Sequence, residues 1–429
     1  MRSEWIRRDR DVVWHGFTQM ATFEENEPII VEAAEGHYLI DVDGKRYLDA
    51  ISSLWVNTLG HRVPELDEAI ERQLRRTAHS TMLGHGNRIV IELAEALARV
   101  VPVDGPHFLF CSDGASAVEQ ALKIAFQFWV NQGVDSKTTY LTLGDAYHGD
   151  TVGGLSLGGG GFGTDLFDPL RFPVVRTPGY DDPDCIEKAA HLVREHADEL
   201  AALVIEPLVQ GAAGVKMIEA GAFGQLQEAC SDTDVLLICD EVATGLGRTG
   251  TLFASEQCGL RPDLLTIGKG LTAGYLPMAA TAASDRIFEQ FLGEDLGPRT
   301  LYHGHSYSGN ALAAAVSLRH LELLHERDVM TNVRERSQQL SNLLDERIAP
   351  RPEVEDVRLC GLMGGIEIAT GAPGSRRGRK ICAAATRKGV LLRPLGDVVV
   401  LMPPLSITAP EIGTIADVLE ESLDEVIDS

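Results

Sequence analysis

Two short apolar segments each end close to a side chain that could do chemistry. The first, residues 235–239, stops at Asp240, and the second, Leu264–Ile267, comes just before Lys269. Short apolar runs between polar residues are typical of buried parallel strands. Open α/β sheets bind their ligands beyond the carboxyl ends of such strands. We therefore expect the carboxylate of Asp240 and the amine of Lys269 to meet at one edge of a sheet.

Neither Asp240 nor Lys269 occupies a sequence position that is typical of a solvent-exposed charged side chain. A buried carboxylate needs a partner, because desolvating an unpaired charge is costly. Lys269 stands between two glycines directly after a predicted buried strand. One cofactor accounts for both residues: an aldehyde that Lys269 holds as a Schiff base, with a ring nitrogen that Asp240 keeps protonated. The pair predicts pyridoxal phosphate (PLP) chemistry, in which Lys269 also transfers the substrate proton.

The composition narrows the class of protein. The chain has 429 residues, with 38 Lys and Arg against 63 Asp and Glu, for a formal charge of -25. Such a surface repels nucleic acid and anionic membranes, which argues against both as partners. The seven cysteines form no C-x-x-C pair, and the N-terminus has no apolar segment of signal-peptide length. These features predict reduced thiols in a cytoplasmic protein without a metal site.

Strand and helix patterns alternate through the middle of the chain. The predicted strands lie near residues 108–111, 140–143, 203–206, 235–240 and 264–267. This alternation predicts an α/β large domain over 61–326, with a mainly parallel sheet. A smaller α+β domain is predicted over 327–429, completed by an N-terminal arm at 1–60 that contains a hairpin about Asp43 and Gly44. The glycines at 158–161 predict a mobile loop.

One motif resembles a known family. Residues 240–250 read DEVATGLGRTG and are followed by Lys269, which is similar to the signature of class III PLP-dependent aminotransferases. The resemblance runs from about Trp14 to about Pro404 and implies PLP-dependent transferase fold type I, with PLP as cofactor. Within the family, the chain is most similar to the branch that converts 8-amino-7-oxononanoate to 7,8-diaminononanoate in biotin biosynthesis. The resemblance also implies a homodimer with shared active sites.

The resemblance assigns cofactor contacts to several separate motifs. Gly114 and Ala115 open a predicted helix and would hold the phosphate on its N-terminal N–H groups. Tyr147 would stack on the ring, as a catalytic residue that shields it from water. Glu206 would lie near the cofactor edge, and Ser306 would bind the phosphate of the partner subunit's PLP. Taken without the family, Gly114 belongs to an ordinary capped turn and Ser306 is a common turn residue.

Substrate contacts are implied in the same way. The residues concerned are Phe17, Trp55, Tyr147, Gly304 and Arg393. The guanidinium fork of Arg393 suits a substrate carboxylate, although a surface arginine is the alternative. Trp55 could equally be a core residue.

Four further residues have weaker assignments. His148 is expected to be a hydrogen-bonded structural histidine, and Asp150 to organise the pocket through hydrogen bonds. Gln210 would lie near the phenolic oxygen of the cofactor. Arg248 either anchors its own glycine-rich loop or reaches into the pocket, and the sequence does not separate these.

The amino donor is open. Some members of the branch have two tryptophans where this chain has Leu54 followed by Trp55, and some have a tyrosine in place of Val400. Both belong to the site for S-adenosylmethionine. Their absence resembles the members in which lysine is the amino donor instead.

Other classes of protein match only part of the pattern. A P-loop NTPase would need a glycine where Asp263 stands and a Ser or Thr where Gly270 follows Lys269. A dinucleotide-binding module would use the glycines of residues 245–250, but these lie past their strand and open no clear helix. Within class III, the alternative substrates are ornithine, 4-aminobutyrate or another ω-amino acid.

Overall fold

The computed structural model describes residues 2–159, 163–369, 371 and 374–427. Its strands are β1 (Val31–Glu35), β2 (Tyr38–Asp41), β3 (Arg46–Asp49), β4 (His107–Cys111), β5 (Thr139–Leu143), β6 (Val175–Thr177), β7 (Leu200–Ile205), β8 (Val209–Gln210), β9 (Lys216–Met217), β10 (Leu236–Asp240), β11 (Leu264–Ile267), β12 (Ala279–Ala283), β13 (Val354–Cys360), β14 (Met363–Ile368), β15 (Val390–Leu391), β16 (Arg393–Leu395) and β17 (Val398–Leu401).

The α-helices are α1 (Arg2–Val12), α2 (Ser52–Trp55), α3 (Pro64–Leu74), α4 (Arg88–Ala98), α5 (Gly114–Asn131), α6 (Val152–Leu157), α7 (Cys185–Glu195), α8 (Gly224–Thr233), α9 (Ala254–Gln257), α10 (Asp285–Glu289), α11 (Ala311–Glu326), α12 (Val329–Arg347), α13 (Arg377–Arg387) and α14 (Ala409–Ile427). Short 3-10 turns are formed by Met20–Thr22, Glu24–Asn26, Thr164–Leu170, Ala220–Phe223 and Lys269–Thr272.

A seven-stranded sheet forms the centre of the fold. Its strand order is β4-β12-β11-β10-β7-β5-β6. Strands β11, β10, β7, β5 and β6 run parallel, whereas β12 is antiparallel to both of its neighbours. The predicted mainly parallel sheet is therefore confirmed. Every residue of β7 and β10 is buried, which explains their continuous apolar sequence.

Both faces of this sheet are covered. Leu236 and Ile238 of β10 pack in one apolar cluster with side chains of α5. Leu237 and Cys239 point the other way, because side chains alternate along a strand, and they belong to the cluster that contains α7 and α8 residues. Fully burying a leucine side chain contributes about 1.5–3 kcal/mol, so the helices on both faces hold β10 and its terminal Asp240 firmly in place.

The N-terminal strands join the C-terminal part of the chain. Strands β2 and β3 form the predicted hairpin about Asp43 and Gly44, and β3 also pairs in parallel with β15. A separate four-stranded sheet has the order β13-β14-β17-β16. The pairing of β3 with β15 agrees with an N-terminal arm that completes a C-terminal unit. The boundaries at 60/61 and 326/327 remain predictions.

Several features differ from the sequence prediction or add to it. Helix α1 and strands β6 and β12 were not predicted. Residues 245–250 form turns and open no helix, so the dinucleotide-binding alternative finds no support. The predicted glycine loop falls partly on residues 160–162, outside the described residues. All seven cysteines are buried, and none of them forms a disulfide. Across the described ranges, no helix is both long and apolar enough to cross a bilayer.

Candidate active site

A cleft of about 450 Å³ lies at the carboxyl ends of β10 and β11. Asp240 is the last residue of β10, and the parallel register places it opposite Thr266 of β11. Lys269 begins the next 3-10 turn, with a φ of +41°. The predicted site residues that line this cleft are Trp55, Gly114, Ala115, Tyr147, Glu206, Asp240 and Lys269. The structure thus brings together the acid and the amine that the sequence predicts to meet at one sheet edge.

Asp240 is buried and fully hydrogen-bonded. One carboxylate oxygen bonds to Nδ1 of His148 at 2.7 Å, and the other accepts from the Thr266 hydroxyl at 2.9 Å and the Val242 N–H at 3.1 Å. Burial alone would raise the pKa of Asp240, but these bonds and the charge of His148 outweigh it and lower the pKa. Burial opposes protonation of His148 as well, yet Asp240 raises its pKa. Each residue thus favours the charged form of the other, and the lowered pKa of Asp240 keeps its carboxylate ionised.

The Lys269 amine has no hydrogen-bond or ion-pair partner within the part of the chain that the structure describes. Its Nζ lies 4.7 Å from the centroid of the Trp55 ring. Burial lowers the pKa of Lys269, while the charges of Asp240 and Glu206 oppose that shift. A lowered pKa makes an amine at the wall of a cleft easier to deprotonate, and therefore more available as a nucleophile and as a base.

Glu206 supports the loop that carries Tyr147. Its two carboxylate oxygens accept from the N–H groups of Tyr147 and Gly211, each at 3.1 Å. Burial raises the pKa of Glu206 to about 7. The Tyr147 hydroxyl donates to Asp150 at 3.1 Å, which agrees with the organising role predicted for that acid. These bonds fix the aromatic side of the cleft.

The start of α5 has the features of an anion site. The Asp113 side chain caps the helix by accepting from the Ser116 N–H at 2.8 Å. The N–H groups of Gly114 and Ala115 meet no acceptor among the described residues. A Cβ on Gly114 would lie 2.6 Å from Cγ1 of Val242, so only glycine allows the chain to pass this close. Free N–H groups at a helix N-terminus bind phosphate well.

The remaining predicted residues lie elsewhere in the single chain. Phe17 and Arg393 line a second cleft of about 700 Å³, formed between the N-terminal arm and α13. Gly304 and Ser306 lie exposed on the loop before α11. Gln210 is buried, and its side chain bonds to backbone groups at Tyr180 and Gly144.

Neither alternative for Arg248 describes its contacts. The buried guanidinium donates to the carbonyl oxygens of Leu362 and Pro403 and to Ser52 Oγ and the Asn57 carbonyl. It therefore joins N-terminal and C-terminal segments and stays out of its own loop and out of the Lys269 cleft. Burial lowers the pKa of Arg248 to about 9.

Sequence reasoning missed two residues that support the acid and the lysine. Thr266 lies on the strand beside Asp240, but its partner depends on strand register, which the sequence does not show. His320 of α11 lies behind the lysine turn, with Nδ1 donating to the Leu271 carbonyl at 3.3 Å and Nε2 accepting from the Thr58 hydroxyl at 2.8 Å. Burial lowers the pKa of His320 to about 4, so the ring is neutral.

Known proteins share this architecture. A family model described as aminotransferase class-III matches residues 20–423. The chain belongs to the class III aminotransferases. Relatives of this aminotransferase from several organisms carry the name adenosylmethionine-8-amino-7-oxononanoate aminotransferase. The one from Nitratidesulfovibrio vulgaris (strain Hildenborough) is 45% identical, covering 94% of this chain and 78% of the relative. The one from Geobacter sulfurreducens is 40% identical, covering 99% and 97%.

Solved structures agree with the sequence relatives. The crystal structure of the Methanocaldococcus jannaschii protein of the same name superposes with a TM-score of 0.96 at 37% identity, covering 99% of each chain. An amine transaminase from an uncultivated Pseudomonas species, in its PLP-bound form, superposes with a TM-score of 0.91 at 32% identity, covering 97% of this chain and 99% of the other. This aminotransferase has PLP-dependent transferase fold type I.

Proposed function

We propose that this aminotransferase, with PLP as its cofactor, transfers an amino group to 8-amino-7-oxononanoate and so makes 7,8-diaminononanoate for biotin biosynthesis. The observation that carries the proposal is the near full-length similarity to relatives that all bear the name of this reaction, at identities up to 45%. Amine and ω transaminases match at lower identity, such as 32% and 27%, which makes an ω-amino acid the weaker alternative.

The cleft suits PLP on three counts. The Lys269 amine, which has no hydrogen-bond or ion-pair partner among the described residues, fits covalent attachment of an aldehyde. The ionised carboxylate of Asp240 fits a protonated ring nitrogen, because it already carries negative charge in a buried site. The free N–H groups of Gly114 and Ala115 fit a phosphate. An amine for the aldehyde, an acid for the ring nitrogen and an anion site for the phosphate together match the groups of PLP.

Asp240 and Lys269 have separate roles in the proposed reaction. When bound, PLP supplies an electron sink that stabilises negative charge at the donor's Cα. Asp240 holds the proton on the ring nitrogen, and His148 and Thr266 hold Asp240 in its ionised state. Lys269, once its Nζ is free, takes the proton from the donor's Cα. General-base transfer of this kind contributes about 10²–10⁴-fold in rate.

The aromatic side chains shape the reaction space. Trp55 and Tyr147 line the cleft, and their aromatic rings would limit the access of water to Lys269 Nζ. Arg393 and Phe17, which line the second cleft, would bind the substrate's carboxylate end.

We propose a homodimer as the active unit, with Gly304 and Ser306 reaching the partner subunit's site. Large apolar side chains near this loop are solvent-exposed in the single chain; they are Leu83, Leu292, Leu296, Tyr302 and Tyr307. Such an exposed group supports a surface that a second copy covers. Buried cysteines that form no disulfide support the cytoplasmic location that the proposal includes.

The amino donor we propose first is S-adenosylmethionine, since the names of the relatives contain it. Lysine is the second candidate, because Leu54 replaces one expected tryptophan and Val400 replaces a tyrosine. Val400 is fully buried on β17, directly across the strand pair from Arg393. A half-reaction separates the donors: the PLP-loaded protein is mixed with either one, and the absorption change to the pyridoxamine form identifies the donor.

Lys269→Ala tests the proposal directly. The variant should bind PLP without the absorption band of a lysine-linked coenzyme and should lose transamination of 8-amino-7-oxononanoate. Normal turnover by the variant would end the proposal. Parent protein that aminates 2-oxoglutarate but not 8-amino-7-oxononanoate would instead favour the ω-amino acid alternative.

A further inference from the structure

Four successive residues just before the cleft have a left-handed backbone. Residues Ser52–Trp55 of α2 all have positive φ, between +50° and +82°, and none is glycine. The N–H of Trp55 donates to the Ile51 carbonyl at 2.8 Å and that of Val56 to the Ser52 carbonyl at 3.0 Å. This is one turn of left-handed helix, a conformation that crowds the Cβ of every L-residue. Such strain persists only where surrounding contacts impose it, and it is concentrated at functional sites.

Asp49 supplies the contacts at the middle of this turn. It is completely buried, and its Oδ1 accepts from the Ser53 N–H at 2.8 Å. Its Oδ2 accepts from the Ser53 hydroxyl at 2.6 Å and contacts Nε2 of His61 at 3.1 Å. The start of the turn is held separately, since the Ser52 hydroxyl donates to the Met402 carbonyl at 2.7 Å. Asp49 therefore binds both the backbone and the side chain of Ser53.

The turn delivers the Trp55 ring to the lysine. Trp55 is buried, and the face of its indole lies 4.7 Å from Lys269 Nζ. The far edge of the ring fits against Gly211, where a Cβ would lie 3.1 Å from Cζ3 of the indole. A right-handed or extended backbone at residues 52–55 would direct the side chain elsewhere.

We propose that Asp49 and Ser53 are positioning residues: they hold the left-handed turn, and the turn fixes the Trp55 ring over the Lys269 amine. The inference rests on the proposed role of Lys269. It adds that the Trp55 ring, held by this turn, limits the contact of the Lys269 amine with water. The charges of Asp240 and Glu206 raise the Lys269 pKa, and the charge of Arg248, from outside the cleft, lowers it. Burial is the largest influence on the Lys269 pKa and lowers it, so loss of the covering ring would raise that pKa.

Ser53→Ala and Ser53→Gly form the main test. Both remove the hydroxyl bond to Asp49, but only glycine adopts positive φ without steric cost. Ser341 provides the matched control, because its hydroxyl also donates to a carboxylate, that of Asp345 at 3.3 Å, from within the right-handed helix α12. We expect glycine to be better tolerated than alanine at 53 and alanine to be better tolerated than glycine at 341. Thermal unfolding of the full-length protein measures both orders.

A second readout follows the amine itself. Apo protein is mixed with PLP across neutral to alkaline pH, and the rate of coenzyme capture is followed by absorbance, since the neutral amine is the attacking form. Ser53→Ala and Asp49→Asn should shift the midpoint of this profile to higher pH, with capture about tenfold slower at neutral pH, equivalent to about one pKa unit. Acrylamide should also quench Trp55 fluorescence more strongly, with Trp55→Phe as the reference for that signal.

Two results would overturn the inference. One is a stability order at position 53 that matches the order at 341. The other is a capture profile and quenching in Ser53→Ala that match those of Ser341→Ala. Either could occur while the parent still captures PLP through Lys269, which leaves the proposed function intact. Equal capture by Lys269→Ala would instead refute the proposed function.

Discussion

Three buried threonines of the central sheet allow the bond to Asp240 to be measured against matched controls. Thr266 of β11 donates to the Asp240 carboxylate at 2.9 Å. Thr281, its direct neighbour on β12, contacts only neutral groups: its hydroxyl lies 2.7 Å from the Ala117 carbonyl oxygen and 3.1 Å from Gln120 Oε1. Thr142 of β5 has a buried hydroxyl without a partner among the described residues. All three side chains are fully buried, and valine has nearly the same shape as threonine.

The expected changes in the free energy of unfolding differ in size and in sign. Thr266→Val should cost about 1.5–3 kcal/mol, because the lost bond goes to a charged group. Thr281→Val should cost about 0.5–1.5 kcal/mol, the usual contribution of a neutral bond. Thr142→Val should stabilise the fold by about 1 kcal/mol, because it removes an unsatisfied polar atom. Urea unfolding at one fixed protein concentration gives the three values.

The pH dependence separates the charged bond from the others. In the folded state the pKa of Asp240 lies below the ordinary value of 3.8, so the carboxylate stabilises the fold fully above that pH. That contribution is lost as the pH falls through the folded pKa, and the deficit of Thr266→Val should shrink with it. The other two variants should show no such trend. Equal costs for Thr266→Val and Thr281→Val, or a loss of stability in Thr142→Val, would refute the reasoning.

Two further predictions concern the surroundings of the cleft. Gly211→Ala would place a methyl group 2.8 Å from Cε of Met363 and 3.1 Å from the Trp55 ring. We expect the free energy of unfolding to fall by about 1–3 kcal/mol and the tryptophan emission to change. Unchanged emission would contradict the close fit. Burial lowers the pKa of His320 from 6.5 to about 4, so its stabilising contribution is complete above 6.5 and is lost as the pH falls towards 4. His320→Gln, which cannot titrate, should reduce that acid loss by up to about 3 kcal/mol in urea unfolding, and an equally steep loss in the variant would exclude His320 as its source.

The main strands, and the proximity of Asp240 and Lys269, could be predicted from the local sequence. Strands β7, β10 and β11 are continuous apolar runs, because both faces of a parallel sheet are covered. Once two such strands are neighbours, the residues at their carboxyl ends must meet. The positions of Asp240 and Lys269 therefore depended on one tertiary fact, the parallel pairing of β10 with β11.

Elements without a strong local signal were missed. Strand β12 is built almost wholly of alanine, which has a low preference for strands. It is a strand because it fills the space between β4 and β11, where small side chains allow α5 to pack closely. Helix α1 has no buried residue, so no apolar stripe marked it.

The partner of Asp240 and the turn that carries Trp55 could not be predicted from local sequence patterns. The sequence indicates that a buried Asp240 requires a partner, yet His148 supplies the hydrogen bond from 92 positions away, through a loop whose path depends on the whole sheet. The left-handed turn at residues 52–55 is the stronger case, because its residues carry none of the glycine or asparagine that usually marks positive φ. Its conformation is imposed by Asp49 and by the C-terminal segment around Met402, against local preference. Local sequence patterns do not predict a backbone that tertiary contacts hold in a strained conformation. Here the strained turn places the Trp55 ring over Lys269.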